Sequence, residues 1–495
     1  MLGMDEREGD HLARQLAILL AVVGIASVIY LSAISGSSGL GFPLDDAWIH
    51  QTYARNLAGR GEWSFIPGEA SAGSTAPLWT ILLAIAYRIG VSPLIWAYVL
   101  GIILLAFTAW FSGRWFLIRN PEMGKWAPFV AALVGLEWHL IWAAVSGMET
   151  IATALVVVLL FWLLDRHEER WVGLGALIGL GVWVRPDAIT LLFPLGLMIL
   201  LGKQDTLGRV ARRGAGVIFG TALLFVPYLY FNRINAGEIL PNTFYAKQGE
   251  YALLQQLPLS ERLISVLGSP FIGPASVLLP GVFLFVVHHI RHRDWSRLVP
   301  LAWALAYLGM YALRLPVTYQ HGRYAMPTIP VLLVIGLEGM GIWIRPGAAR
   351  LWRRLLSRAW VGAVGGLTLG FIVLGARAFR QDVAIIQTEM VATAKWIQRN
   401  TPPGAVIAAH DIGAMGYFSQ RELIDLAGLV SPEVIPFMRD EAALKHYLDE
   451  HGADYLVTFP GWYPELSQYG EVVFRTNAEP SPAAGGENMV VYAWP

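Results

Sequence analysis

The sequence predicts a polytopic α-helical membrane protein that carries a C-terminal extracytoplasmic α/β domain. Three observations predict it. Hydrophobic residues make up 55% of the chain and charged residues only 15%, with a mean hydropathy of +0.51. A water-soluble chain cannot hide that much apolar surface, whereas a bilayer absorbs it. Apolar stretches close to the length of a spanning helix recur from residue 12 to residue 378 and then stop. The remainder, 379–495, has ordinary globular composition, so two domains are expected: 1–378 in the membrane and 379–495 outside it.

The formal net charge is zero, so no bulk attraction to nucleic acid is expected. The absence of cysteine excludes disulfides, a cysteine-ligated zinc and a cysteine nucleophile. Residues 1–11 are polar and the apolar run behind them reaches residue 34. That run is long for a signal-peptide core and no small-residue cleavage site follows, so it reads as an uncleaved first span.

Orientation follows from where Arg and Lys collect, because cytoplasmic loops retain positive charge. Five interruptions are basic: Arg114/Arg119/Lys125, Arg166/Arg170, Lys203/Arg209/Arg212/Arg213, Arg291/Arg293/Arg297 and Arg345/Arg350/Arg353/Arg354/Arg358. All five are placed inside, although Asp165, Glu168 and Glu169 weaken the second. Segment 77–90 is apolar but only about two-thirds of a span. Counted as a span, it would put Arg114 outside. Read as a helix lying in the interface, with Trp79, Tyr87 and Arg88 suited to that position, it lets every basic loop fall inside. The expected spans are then 12–34, 93–118, 126–146, 150–164, 171–185, 187–202, 213–231, 271–290, 297–313, 327–344 and 359–378. These eleven put the N-terminus inside and the C-terminal domain outside.

With that threading the unusual polar residues gather outside, in loops 43–75, 146–150, 185–187, 241–247 and 319–324. Charges at membrane depth are costly and usually face a cavity or a partner. Asp45 and Asp46 are adjacent at the start of a helix-like pattern, so their side chains point about 100° apart. One can face a reacting group while the other holds local structure or a metal; both could equally cap the helix. Glu149 could cap the next span. Arg185 and Asp187 could pair with each other. Lys247 and Arg323 could bind headgroup phosphates or one particular phosphate, and a lone His321 could be a ligand, a proton carrier or a surface residue. In the soluble part, strands at 405–409, 422–426, 454–459, 472–475 and 488–494 alternate with helices at 389–399 and 442–451, which predicts a small α/β domain. His410 and Asp411 end its first strand, where such domains often place functional groups.

Taken together these motifs resemble bacterial membrane glycosyltransferases of the GT-C superfamily that use polyprenyl-phosphate sugars. Closest in pattern is the group containing the mycobacterial terminal arabinofuranosyltransferase. The residues carrying the resemblance are LDDAWIHQTYARNLA (44–58), Ile66-Pro67-Gly68-Glu69, the run 73–79 (GSTAPLW), 146–150, Arg185-Pro186-Asp187, 241–247, 411–417 (DIGAMGY) and 424–429 (IDLAGL). Ile66 stands where Asn is common and Asp187 where Glu is common.

The resemblance implies interfacial helices after the first span and a first-loop acidic residue as catalytic base, which falls on Asp45 with Asp46 behind it. An acidic residue in the second outside loop falls on Glu149. Lys247 and Arg323, with Arg185 and His321 behind them, become the expected ligands of the donor phosphate. His50, Tyr53, Asn242, Tyr245, Tyr319, His410 and Asp411 become candidate substrate-binding residues. The expected partners are a polyprenyl-phosphate-linked sugar, a glycan, lipid or protein acceptor, and the bilayer of a bacterial inner membrane. No cofactor is required, since Lys and Arg can neutralise a leaving phosphate monoester, though Asp45, Asp46 and Glu149 could hold a divalent cation. A lipid-linked sugar flippase and a non-catalytic envelope-assembly protein are the rival readings.

Overall fold

The structure, a computed structural model, describes residues 6–34, 39–166, 169–202, 206–344 and 351–495, without the side chains of 6–12. Glu168, Lys203, Arg345 and Arg350, counted above among the loop charges, lie outside the described residues.

Among the described residues six helices are long and apolar enough to cross a membrane: Ala13–Ile34, Pro93–Arg119, Leu207–Ala236, Pro274–Arg291, Tyr319–Trp343 and Leu351–Asn400. A seventh is broken into Pro121–Gly135 and Trp138–Ala144, bent by 57°. The break lies at Glu137, whose carboxylate accepts from the Leu140 N–H at 3.1 Å and so starts a new helix. The remaining expected spans also fall on helices. Thr150–Asp165 and Trp171–Val184, and the run Pro186–Leu200, are shorter, and Trp295–Arg314 has 20 residues. Length and composition thus support six or seven crossings where the apolar pattern counted eleven. Short helices still pack closely. A Cβ on Gly220 would lie 2.0 Å from the Val172 carbonyl oxygen, and one on Gly175 2.2 Å from that of Val217. Glycine at both positions lets Trp171–Val184 and Leu207–Ala236 meet backbone to backbone.

Segment 77–90 is a 13-residue helix, Pro77–Ile89. It packs on the first-loop helix Asp46–Arg60: the Tyr87 hydroxyl donates to Gln51 Oε1 at 2.8 Å. Trp79 was expected as an interfacial anchor. It is instead fully buried, and its indole N–H donates to the Gly147 carbonyl at 2.9 Å.

The C-terminal part holds a five-stranded sheet, β1 (Val406–Ala409), β2 (Glu422–Asp425), β3 (Tyr455–Thr458), β4 (Glu471–Arg475) and β5 (Val490–Ala493), in the order β2-β1-β3-β5-β4. Strands β2, β1 and β3 are parallel, while β5 runs antiparallel to both β3 and β4. No loop separates it from the last span. The helix that begins at Leu351 continues through a π turn, Gln387–Val391, to Asn400. The expected boundary at 378 falls inside this helix.

The sheet domain is docked on the first loop. Trp48 packs against Tyr417 and Phe418, with ring centroids 4.9 and 4.7 Å apart. The Arg55 guanidinium donates to the carbonyls of Tyr417 and Gly416 at 2.7 and 3.2 Å. At the other end of Thr150–Asp165, some 24 Å from Glu149 by helical rise, lies a second set of charges. Arg119 bonds Glu338 at 2.7 Å and Asp165 at 3.0 Å, and Arg297 reaches Glu338 at 3.3 Å. Glu169 pairs with Arg213 beside them in sequence at 2.9 Å. Basic residues of three of the five loops are therefore tied to acidic residues at the Asp165 end.

Candidate functional site

The loops expected outside converge on one cavity of about 620 Å³. Each wall comes from a different element. The first-loop helix supplies Asp46 and His50, and the turn before Thr150–Asp165 supplies Glu149. The break after Trp171–Val184 supplies Arg185 and Asp187, and the short helix Asn242–Glu250 supplies Lys247. Tyr311, Arg323 and Tyr324 close it, and apolar residues including Ile49, Met148, Ile189, Leu240, Phe244 and Met310 line the rest.

Its polar end is cationic. Tyr324 sits among three cations, with Arg185 4.8 Å, Arg323 5.1 Å and Lys247 5.4 Å from its ring centroid. The Tyr324 hydroxyl accepts from Lys247 at 2.7 Å and from Arg323 at 3.2 Å. Arg323 is only 3% exposed, yet its Nε and Nη1 have no protein partner. Unsatisfied buried donors are costly, so this guanidinium is arranged for an anion that the chain does not itself provide.

Two carboxylates face these cations. Asp46 Oδ2 accepts from Arg323 at 2.8 Å and lies 3.8 Å from Lys247. Burial alone would raise its pKa, but Lys247 and Arg323 outweigh it and hold the carboxyl well below its usual range. Glu149 lies 3.4 Å from His50 Nε2 and 3.6 Å from Arg185, and these outweigh its burial in the same way. It makes no side-chain cap to the helix it precedes, so the capping reading fails. His50 is oriented from behind, its Nδ1 3.0 Å from Ser74 Oγ and 3.3 Å from Thr80 Oγ1. The bland reading of Arg185 is correct in part. It pairs with Asp187 at 2.9 Å, but it also reaches the Tyr311 hydroxyl at 3.2 Å and lines the cavity.

Asp45 points elsewhere. Its two oxygens accept the backbone N–H groups of Gly413 and Ala414 at 2.6 and 2.8 Å, and it neither lines the cavity nor caps its own helix. Burial and then the neighbouring Asp411 carboxylate push its pKa up, against the pull of the two N–H groups.

Other expected site residues also lie off the cavity wall. His321 bonds Asp382 at 2.8 Å, between Trp138 and Trp142, because left-handed backbone at Gln320 and His321 (φ 59° and 57°) turns it away. The Tyr53 hydroxyl is held by Ser71 and Gly73, and the Asn242 amide by the Leu429 carbonyl. Tyr245 packs on Phe244, and Tyr319, about half exposed, packs on Tyr251. His410 bonds the Tyr463 hydroxyl at 2.8 Å. Burial, and after it the Asp46 carboxylate, push the Asp411 pKa up against the pull of His410, and its Oδ2 is buried and unpartnered. Sequence reasoning missed Tyr311 and Arg314, which look like ordinary residues of an apolar helix. Tyr324 was within reach, since it follows Arg323 in a segment already singled out.

Asp45, Asp46 and Glu149 are not brought together as a metal site. Among the described residues no group of three His, Cys, Asp or Glu side chains is placed to hold a metal ion. Each of the two cavity carboxylates is already engaged by cations.

Residues 381–492 match a family described only as a domain of unknown function, DUF8728. No curated protein sequence matches the chain. Its structure is similar to ArnT from Cupriavidus metallidurans in the apo state, with a TM-score of 0.60 at 15% identity over 96% of this chain and 98% of that one. The same protein bound to undecaprenyl phosphate gives 0.61 at 14%, again over 96% and 98%. An Archaeoglobus fulgidus oligosaccharyltransferase tethered with an acceptor peptide gives 0.62 at 12%, over 92% of this chain and 72% of that one. At such identities the likeness speaks for the fold alone: this multi-pass membrane protein shares its fold with ArnT and with the archaeal oligosaccharyltransferase.

Proposed function

We propose that the chain is an integral-membrane glycosyltransferase that moves a sugar from a polyprenyl-phosphate donor to an acceptor hydroxyl. The observation that carries this reading is the buried Arg323 guanidinium beside Lys247 and Arg185, with its Nε and Nη1 unpartnered and Asp46 bonded to its remaining nitrogen, in one cavity. ArnT bound to undecaprenyl phosphate, in the same fold, supports it.

The donor phosphate takes Arg323 and Lys247, and in doing so displaces Asp46 from both. Asp46, freed, accepts the proton of the acceptor hydroxyl as its oxygen attacks the anomeric carbon. The bond from that carbon to the phosphate oxygen breaks, and the polyprenyl phosphate leaves as a monoester with its charge neutralised by the same cations. A single displacement inverts the anomeric centre. Asp46 thus replaces Asp45 as the favoured base, while Asp45 fastens domain 379–495 to domain 1–378. Glu149 with His50 positions the acceptor side.

The chain sits in a bacterial inner membrane with its N-terminus inside. Three basic loops meeting at the Asp165 end support this through the positive-inside preference, which leaves the cavity and the sheet domain outside. A divalent cation is not part of the scheme, and activity lost on exhaustive chelation would overturn that point.

The test uses purified full-length protein in liposomes with a panel of polyprenyl-phosphate pentoses and hexoses. Glycosylated product with inverted configuration is expected. Donor crossing the bilayer without product would establish the flippase reading instead. Mass spectrometry of lipids and glycans that accumulate in a deletion strain identifies the acceptor.

A further inference from the structure

A strip of polar and aromatic side chains runs outward from the cavity. Lys247 lines the cavity, and Glu250, one turn further along Asn242–Glu250, faces the sheet domain. Three residues of helical rise, about 4.5 Å, separate them. Glu250 Oε1 lies 3.8 Å from His410 Nε2. The His410 ring stands edge-on to Trp462 at 4.9 Å, and Trp462 is half exposed. On the other side of Glu250, Tyr251 packs on Tyr319 at 5.8 Å, and Tyr319 is again about half exposed. Asp411, next to His410, adds a buried carboxylate oxygen with no partner between this strip and Asp46.

This combination suits one class of ligand. Exposed aromatic plates take the apolar faces of sugar rings, and carboxylates and an imidazole beside them accept from and donate to hydroxyls. The strip's nearest fixed charges are Glu250 and Asp411, which repel anions. The cations lie deeper, at the expected phosphate seat. Trp462 and Tyr319 would otherwise leave large apolar faces in water, and Asp411 an unsatisfied acceptor.

We propose that Trp462, His410, Glu250, Asp411 and Tyr319 form a binding site for a neutral carbohydrate, which makes the acceptor a glycan whose terminal hydroxyl reaches Asp46. Only the word acceptor rests on the transfer reading, because binding to this strip needs neither donor nor turnover.

The test is therefore direct binding, without donor. Full-length protein in nanodiscs is applied to an array of neutral pentose and hexose oligosaccharides, with a lysine-rich peptide and bare anionic-lipid vesicles as further probes. Wild type is expected to bind at least one oligosaccharide family. Trp462→Ala and Glu250→Gln are expected to weaken that binding tenfold or more, with unchanged melting temperature showing that they fold. Binding is read without donor or turnover, so a failure of the transferase reading stays distinguishable. The proposal is overturned if no oligosaccharide binds, if both variants bind as wild type does, or if only the peptide or the vesicles are captured through Trp462.

Discussion

Replacing Asp46 with Asn separates catalysis from binding at the proposed site. The side chain keeps its shape and one carbonyl acceptor for Arg323, now at 2.8 Å, but loses the charge that faces Arg323 and Lys247. It also loses the ability to take a proton. General-base assistance contributes roughly 10²–10⁴-fold, so kcat should fall by about that factor, or about 3–5 kcal/mol in activation free energy. Donor binding should move the other way. In the wild type the phosphate must displace Asp46 from both cations, and in the variant that competition is weakened. The donor KM should therefore stay level or fall while kcat collapses, the pattern expected when an interaction made only in the transition state is lost.

The assay is transfer from a labelled polyprenyl-phosphate sugar in nanodiscs, with product separated by chromatography at several donor concentrations. A melting curve checks that the variant folds. Two results would refute the reasoning. Turnover within a few-fold of wild type removes Asp46 from the base role. A donor KM that rises with kcat unchanged makes Asp46 a binding residue and breaks the argument that the phosphate displaces it.

Other outcomes follow from the same geometry. Arg323→Ala removes a buried, charge-assisted phosphate contact worth about 1.5–3 kcal/mol, so donor KM should rise about 10- to 100-fold in the same transfer assay. A Cβ on Gly413 would lie 2.1 Å from the Asp45 carbonyl oxygen and 2.7 Å from its carboxylate. Gly413→Ala should therefore loosen the sheet domain, read as faster trypsin cleavage of 379–495 from the membrane part. Asp425 is buried and accepts from Ala427 and Val430, and burial raises its pKa from 3.8 to about 6. A raised folded pKa means its contribution to stability is full below pH 3.8 and is lost as pH rises through about 6. Wild type should accordingly lose melting temperature relative to Asp425→Asn between those two pH values, and equal slopes would contradict this. Glu338→Ala leaves Arg119 buried at the other end of the bundle with one partner fewer, at a cost of about 3–5 kcal/mol, which should show as a lower melting temperature in detergent.

Much of this was readable in the sequence because it depends on composition and period. The apolar runs, the five strands and the interfacial-length helix at 77–89 each follow from local patterning. The gathering of Glu149, Arg185, Lys247 and Arg323 followed from threading the charges, which is a global constraint. Side-chain direction was not readable. Asp45 and Asp46 are neighbours with the same chemistry, and the 100° between them sends one to the Gly413 and Ala414 amides and the other to Arg323. His321 was misplaced because two consecutive left-handed residues reverse the chain before it, a conformation that nothing in Tyr-Gln-His-Gly compels. Fewer helices pass a length test than the apolar pattern counted, because 14- to 16-residue apolar segments satisfy a hydropathy pattern while being shorter than a bilayer is thick.

The pairing of Asp46 with Arg323 and Lys247 has a consequence for how such a site avoids wasted chemistry. A base held ionised by two cations at 2.8 and 3.8 Å is unreactive as well as stable, since a proton arriving there must compete with both. The same cations are the strongest attraction the cavity offers a phosphate. On the proposed scheme one ligand is not seated without freeing the other, and the base becomes available only when a donor is in place. Asp45 cannot serve in this way, because the amides that hold it belong to the sheet domain and lie away from any phosphate. On that scheme adjacent carboxylates divide the work: Asp45 fastens the sheet domain to the first loop, and Asp46 is released by the substrate that needs it.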